Sequence, residues 1–220
     1  MTTMTNATDP KYTTREEWLT AVGAHVNDVL RMMGFIVPAY RVSCGFPVGT
    51  RPYTGRKSHK SGAIGQAWDR RVTEDKVGVI FISPVLSDPL GKPEDGEPGV
   101  IDVLAHEIAH HVAGLAAGHG KHFRTVMRAL DLAGKPTATY AGPVFAEFAA
   151  WILEQVGPYP HAAMDVTRRA KQGTRLIKIM CPDYCTDMSA NITRKWLDAD
   201  LAPACPCCGQ RMVEVERDPK

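Results

Sequence analysis

The chain has 220 residues and a mass of 24.1 kDa, with 44% hydrophobic and 23% charged residues, which allows one good core plus a small appendage and excludes three full domains. No apolar run approaches the ~20 residues that a bilayer-spanning helix needs, so no membrane role is expected. A formal charge of +2 is too small to imply a nucleic-acid partner by itself; only local clusters of base could argue for one.

The opening stretch MTTMTNATDPKYTTREEW is polar and has no apolar segment followed by small residues. It does not read as a secretory signal, and a cytoplasmic location is expected. Trp18, Leu19, Val22, Val26, Val29, Leu30 and Met33 then recur at helical spacing, with Thr14 as cap and Gly34 as stop. YRVSCGF alternates like a strand, GVIFISP is a short β-branched and aromatic run before a proline, and AIGQAWDRR is a further strand candidate. The segment between the first and last of these runs is rich in glycine and base, including Arg51, Arg56, Lys57, Lys60, Arg70 and Arg71. A helix followed by two or three strands predicts an α+β start.

SDPLGKPEDGEPG is turn chemistry, and a helix opening near Pro98 buries Val100, Ile101, Leu104, Ile108 and Val112 as one stripe. A second helix, about residues 121–132, stops at AGKP, and a third, PVFAEFAAWILEQVG, closes at Gly157. RRAKQGTR reads as a basic linker, with Arg168, Arg169, Lys171 and Arg175 followed by Lys178. Beyond it the composition shifts to cysteine pairs, which places a domain over residues 1–170 and a smaller module over 171–220.

The helix after Pro98 carries the chemistry. LAHEIAHHVAGLAAGHGKHF, residues 104–123, contains five of the chain's eight histidines. His106, Glu107 and His110 form H-E-x-x-H, and histidines four apart on a helix share a face, close enough to bind one metal ion. A catalytic zinc needs a third protein ligand and leaves its fourth position to water. His111 points about 100° or more away from the pair and is expected to pack or meet solvent. The metzincin spacing would put a ligand where Ala116 stands, and no glutamate before Glu147 offers the gluzincin one. His119 and His122 remain, beyond a GLAAG break that lets the chain turn back. His119 is favoured because Gly118 and Gly120 flank it and allow close backbone approach.

HEIAHH followed by GHGKHF resembles the SprT-like metalloproteases, which include the Spartan proteases. The resemblance places His106, His110 and His119 on that family's zinc ligands, Glu107 on its catalytic base and Phe123 on its aromatic position. REEWL, YRVSCG and IFISP resemble the helix and strands before the motif, so the likeness covers most of the chain. It implies a zincin-like α+β domain, with an N-terminal helix and a small antiparallel sheet before the motif helix, that hydrolyses peptide bonds, with Glu107 accepting the proton of the attacking water. Where relatives often carry a glutamate, this chain has His122, which stays open as a lesser ligand or outer donor. The sequence assigns no oxyanion donor; His122, Tyr140 and Tyr159 are residues of a suitable type.

Five of the six cysteines lie between Cys181 and Cys208. CPDYC and CPCCG resemble the paired knuckles of a zinc ribbon. Cys181, Cys185, Cys205 and Cys208 are assigned as ligands, although the first spacing is C-x-x-x-C and Cys207 offers a rival thiolate. Many SprT-like proteins end in such a ribbon, which favours metal over disulfides in a chain without an export signal. Cys44 reads as a small core residue. Two zinc ions, one catalytic and one structural, are therefore expected. The substrate expected is a protein, and the resemblance to Spartan-type enzymes suggests one attached to DNA, contacted through the basic loop and linker. The competing expectation is a non-catalytic zinc module that binds nucleic acid or a transcription complex. The oligomeric state is not legible.

Overall fold

The structure is a computed structural model and describes residues 11–47, 63–165, 176–183, 185 and 188–215. Arg51, Arg56, Lys57, Lys60, Arg168, Arg169, Lys171 and Arg175 lie outside the described residues. The chain divides into two compact units, residues 1–168 and 169–220. The class is α+β. Among the described residues, no helix is long and apolar enough to cross a membrane.

In the first unit, α1 (Arg15–Met32) starts at a capping box in which Thr14 accepts from the Glu17 N–H and the Glu17 carboxylate accepts from the Thr14 N–H. Its Trp18, Leu19, Val22, Val26 and Leu30 are buried, and the Trp18 indole donates to the Gly157 carbonyl at 2.9 Å, tying the helix start to the end of α4 (Pro143–Val156). The strands β1 (Tyr40–Cys44), β2 (Gly65–Trp68) and β3 (Gly78–Ile82) form a sheet in the order β1-β3-β2.

That sheet is mixed, not antiparallel as expected: β1 runs parallel to β3 and β2 antiparallel to it. The physical reason lies in side-chain content. GVIFI buries Ile80 and Ile82 completely and takes the centre, whereas GQAW, small and polar with no fully buried residue, is left at an edge. With β1 and β2 running in opposite directions on its two sides, β3 is parallel to one of them, and that one is β1.

After the short hairpin of β4 (Gly91–Lys92) and β5 (Glu97–Pro98), α2 (Val100–Ala113) crosses the core with Val100, Ile101, Leu104 and Ile108 fully buried. Helix α3 spans Lys121–Ala129 and is shorter than expected: Asp131 takes a left-handed conformation (φ 55°), and the chain enters a hairpin of β6 (Leu132–Lys135) and β7 (Ala138–Ala141). What had read as a helix end and stop signal is thus partly strand.

Asp102, at the first turn of α2 and fully buried, joins this hairpin to the helix. Its Oδ2 accepts the Gly99 N–H at 3.0 Å and the Ala141 N–H at 3.2 Å. Its Oδ1 is buried without a hydrogen-bond partner among the described residues. Burial pushes this carboxyl up to about 6 from an ordinary 3.8, against the pull of the two backbone donors. A carboxyl whose folded value is raised contributes its stability below the unfolded value, and that contribution is lost as pH rises through about 6. The wild type is therefore expected to lose about 3 kcal/mol between roughly pH 4 and pH 6.5 relative to Asp102→Asn. Urea unfolding of both proteins across that range checks it, and parallel pH profiles would remove the assignment.

The second unit contains β8 (Leu176–Met180), β9 (Ser189–Thr193), α5 (Arg194–Asp198) and β10 (Val213–Glu214), with an antiparallel sheet in the order β10-β8-β9. Its buried core is small: Ile179, Cys181, Cys205 and Met212.

Candidate functional site

On α2, His106 and His110 stand one turn apart. The helix ends at Gly114, a turn over Leu115–Ala117 follows, and Gly118 at φ 48°, a value L side chains rarely adopt, reverses the chain so that His119 faces the helix again. His110 Nε2 lies 3.2 Å from His119 Nε2, which lies 3.4 Å from His106 Nε2. The donor atoms of all three residues fall within 4.8 Å of one another, a group able to hold a metal ion. Phe123, fully buried on α3, packs its ring under all three imidazoles, with centroids 4.4 to 5.0 Å away.

Burial, reinforced by the neighbouring imidazoles, pushes His106 down to about 3 and His110 down to about 4; burial also lowers His119. Each is thus held as the neutral imidazole, the form that ligates metals. In the tautomers that carry the proton on Nδ1, the three Nε2 lone pairs face one another, an arrangement that a cation at their focus would relieve.

Glu107 is 6% exposed and lines the same cleft, a space of about 900 Å³. Burial pushes its carboxyl up to about 8, opposed by a hydrogen bond from the Ala67 backbone on β2. Close approach of β2 to the helix depends on Gly65, where a Cβ would lie 2.5 Å from Glu107 Oε1 and 2.7 Å from Val103 Cγ1. Gly65→Ala is accordingly expected to cost about 1–3 kcal/mol through overpacking and to displace either the carboxylate or β2. Thermal unfolding and a structure of the variant check this; unchanged stability would show that β2 yields freely.

The remaining expectations distribute unevenly. His111 is buried, stacked on Tyr40 with centroids 5.6 Å apart and packed over Gly78, outside the histidine group. His122 is exposed on α3 and belongs to neither the group nor the cleft wall. Tyr140 packs against Gly96 and Gly134, and Tyr159 is buried against Trp18, so none of the three residues of a type suited to an oxyanion donor lines the cleft. Cys44 is half-buried and contacts the Arg15 guanidinium at 3.1 Å, more polar surroundings than a simple core residue has.

The sequence reading missed Thr139, a buried residue of β7 whose Oγ1 lies 2.8 Å from His106 Nδ1. Two four-residue strands on either side of Pro136 give too little alternation to have marked the strand that carries it.

In the second unit, Cys181, Cys185, Cys205 and Cys208 converge. The Cys181–Cys185, Cys181–Cys208 and Cys185–Cys205 sulphur separations are 3.4, 3.5 and 3.5 Å. Backbone N–H groups of Cys208 and Cys207 turn toward Cys205 Sγ and lower that thiol to about 7. Cys207 itself is exposed and outside the group. Of the basic residues named from the sequence and described, Arg71 is paired with Asp69 at 2.9 Å, while Arg70 and Lys178 are exposed.

No family model, curated protein or solved structure matches this chain.

Proposed function

We infer that the chain is a zinc-dependent endopeptidase of the SprT-like kind, with a second zinc in a structural ribbon. The observation that carries this reading is the placement of a buried carboxylate, Glu107, beside three converging imidazoles in one open cleft. A binding module has no use for that carboxylate.

The donor sets fit the ions. Nitrogens about 2.0–2.1 Å from a common zinc at tetrahedral angles lie about 3.3–3.4 Å apart, close to the 3.2 and 3.4 Å found. Sulphurs at about 2.3 Å would be about 3.8 Å apart, somewhat more than the 3.4 to 3.5 Å here and far beyond a disulfide bond. Three imidazoles leave the first ion an open position; four thiolates close the second. When bound in the open site, zinc supplies Lewis acidity toward the scissile carbonyl and the attacking water.

The protein's own residues do the rest. Glu107, whose ionised form a cation at the histidine focus would favour against its burial, takes the proton of the attacking water and returns it to the leaving amine, so that one peptide bond breaks as one water is consumed. Its burial excludes competing solvent. The β2 edge, which lines the cleft through Ala63 to Ala67, offers backbone groups to an extended polypeptide. Ile64, Val85, Leu86 and Leu115 add apolar wall.

Proteins attached to DNA remain the substrate class suggested by the SprT-like resemblance. The alternative of a nucleic-acid module has less support in the second unit, where Arg194 is paired with Glu214 and Arg211 with Asp200. The test is cleavage of casein and of histones, with and without DNA, by wild type and Glu107→Gln. Base-dependent cleavage supports the reading; no cleavage of either substrate by zinc-loaded protein refutes it.

A further inference from the structure

We propose that Thr139 is a positioning residue that holds His106 in its Nδ1–H tautomer and thereby keeps the Nε2 lone pair aimed at the focus shared with His110 and His119. The inference rests on reading the three histidines as a metal site, and it concerns the strand behind that site, not the ligands themselves.

A neutral imidazole carries its proton on one nitrogen or the other, and only the nitrogen without it can ligate. If His106 carried the proton on Nε2, the N–H would point into the group, 3.4 Å from His119 Nε2, and block the site. What selects the tautomer is the partner of the other nitrogen. Here that partner is Thr139 Oγ1, 2.8 Å from Nδ1; a hydroxyl can donate or accept, and in the tautomer proposed, the one that leaves the Nε2 lone pair facing His119, it accepts the Nδ1–H. Thr139 is 6% exposed, so water is a poor substitute once the hydroxyl is removed.

The hydroxyl is held in place from several directions. Threonine is β-branched and stiff at χ1 in a strand, and Thr139 is paired with Gly134 across the β6–β7 hairpin. Two residues on, the Ala141 N–H donates to Asp102, which lies one turn before His106 on α2. Asp102 to Ala141 and His106 to Thr139 therefore form two successive rungs between one face of the helix and one side of β7. The rungs fix the strand's register against the helix, and with it the distance from Oγ1 to Nδ1.

The test is metal affinity in the full-length chain. Thr139→Val replaces the hydroxyl with a methyl of similar size; Thr139→Ser keeps the hydroxyl and drops the methyl. Metal-free protein is titrated with Co²⁺ and then Zn²⁺ against a competing chelator. The four-thiolate site is recognised by its sulphur-to-metal charge-transfer absorption, which a site of three imidazoles lacks. Thr139→Val is expected to weaken the histidine site about 10–100-fold with the thiolate site unchanged, and Thr139→Ser to return within about threefold of wild type.

Nitrogen-15 NMR of the metal-free proteins supplies a readout that packing alone would not move. His106 should show the Nδ1–H tautomer in wild type and Thr139→Ser, and a mixture in Thr139→Val. Equal affinity in wild type and Thr139→Val, or a weakened site that serine fails to restore, would overturn the proposal. Because the readout is affinity and not turnover, a chain that cleaves no protein yet shows this pattern would refute the peptidase reading and leave the role of Thr139 standing.

Discussion

Glu107→Gln is expected to retain both metal ions and to hydrolyse protein about 10²–10⁴-fold more slowly than wild type. The substitution is nearly isosteric, and the glutamine carbonyl can still accept the backbone hydrogen bond from Ala67 that the carboxylate accepts now. Position and packing are thus preserved, while the ability to take a proton is removed. Glu107 is not among the converging donors, so zinc content should not fall. The measurement is kcat on a protein substrate beside zinc content for wild type, Glu107→Gln and His119→Ala. His119→Ala, which removes one of the three nitrogens, should lose the histidine-site ion. Full activity in Glu107→Gln with the metal in place would refute the base assignment. Loss of zinc in that variant would instead make Glu107 a ligand, contrary to the geometry.

The parts of this site that were legible in the sequence are those set by local periodicity. His106 and His110 fall four apart on a helix whose apolar stripe, Val100, Ile101, Leu104 and Ile108, is regular enough to set its phase. The return of His119 was legible because glycines mark where a chain may reverse, and Gly118 does so at a positive φ.

What the sequence did not disclose depends on pairing between distant segments. The strand order β1-β3-β2 follows from which strand buries most, a competition that no single strand's alternation displays. The β6–β7 hairpin has strands of four residues each, too short to separate by pattern from a helix end. Thr139 and Asp102 were invisible for that reason: each acts across the contact between α2 and β7, and neither type of residue announces such a role. Gly65 was equally silent, because its importance lies in the carboxylate that a Cβ would strike.

Removing the metal from the second unit is expected to unfold residues 176–215 while the first unit stays folded. The buried core there amounts to Ile179, Met212 and two of the ligand cysteines, with a few half-buried residues such as Ile177, Ile192 and Leu197 around it. A segment of this size cannot offset the conformational entropy of ordering its backbone by apolar burial alone. A structural zinc ion supplies about 10–16 kcal/mol of apparent binding energy near neutral pH, which in such a unit is folding energy. Cys208→Ser should therefore lose that ion and the amide protection of β8 and β9. Cys207→Ser should lose neither, because the Cys207 thiol is exposed and outside the group. Hydrogen exchange on both variants, alongside metal content, checks the pair. Protection that survives in Cys208→Ser would mean the short strands hold without the ion. Metal loss in Cys207→Ser but not in Cys208→Ser would move the fourth ligand by one residue, to the thiolate that the backbone of this turn directs outward.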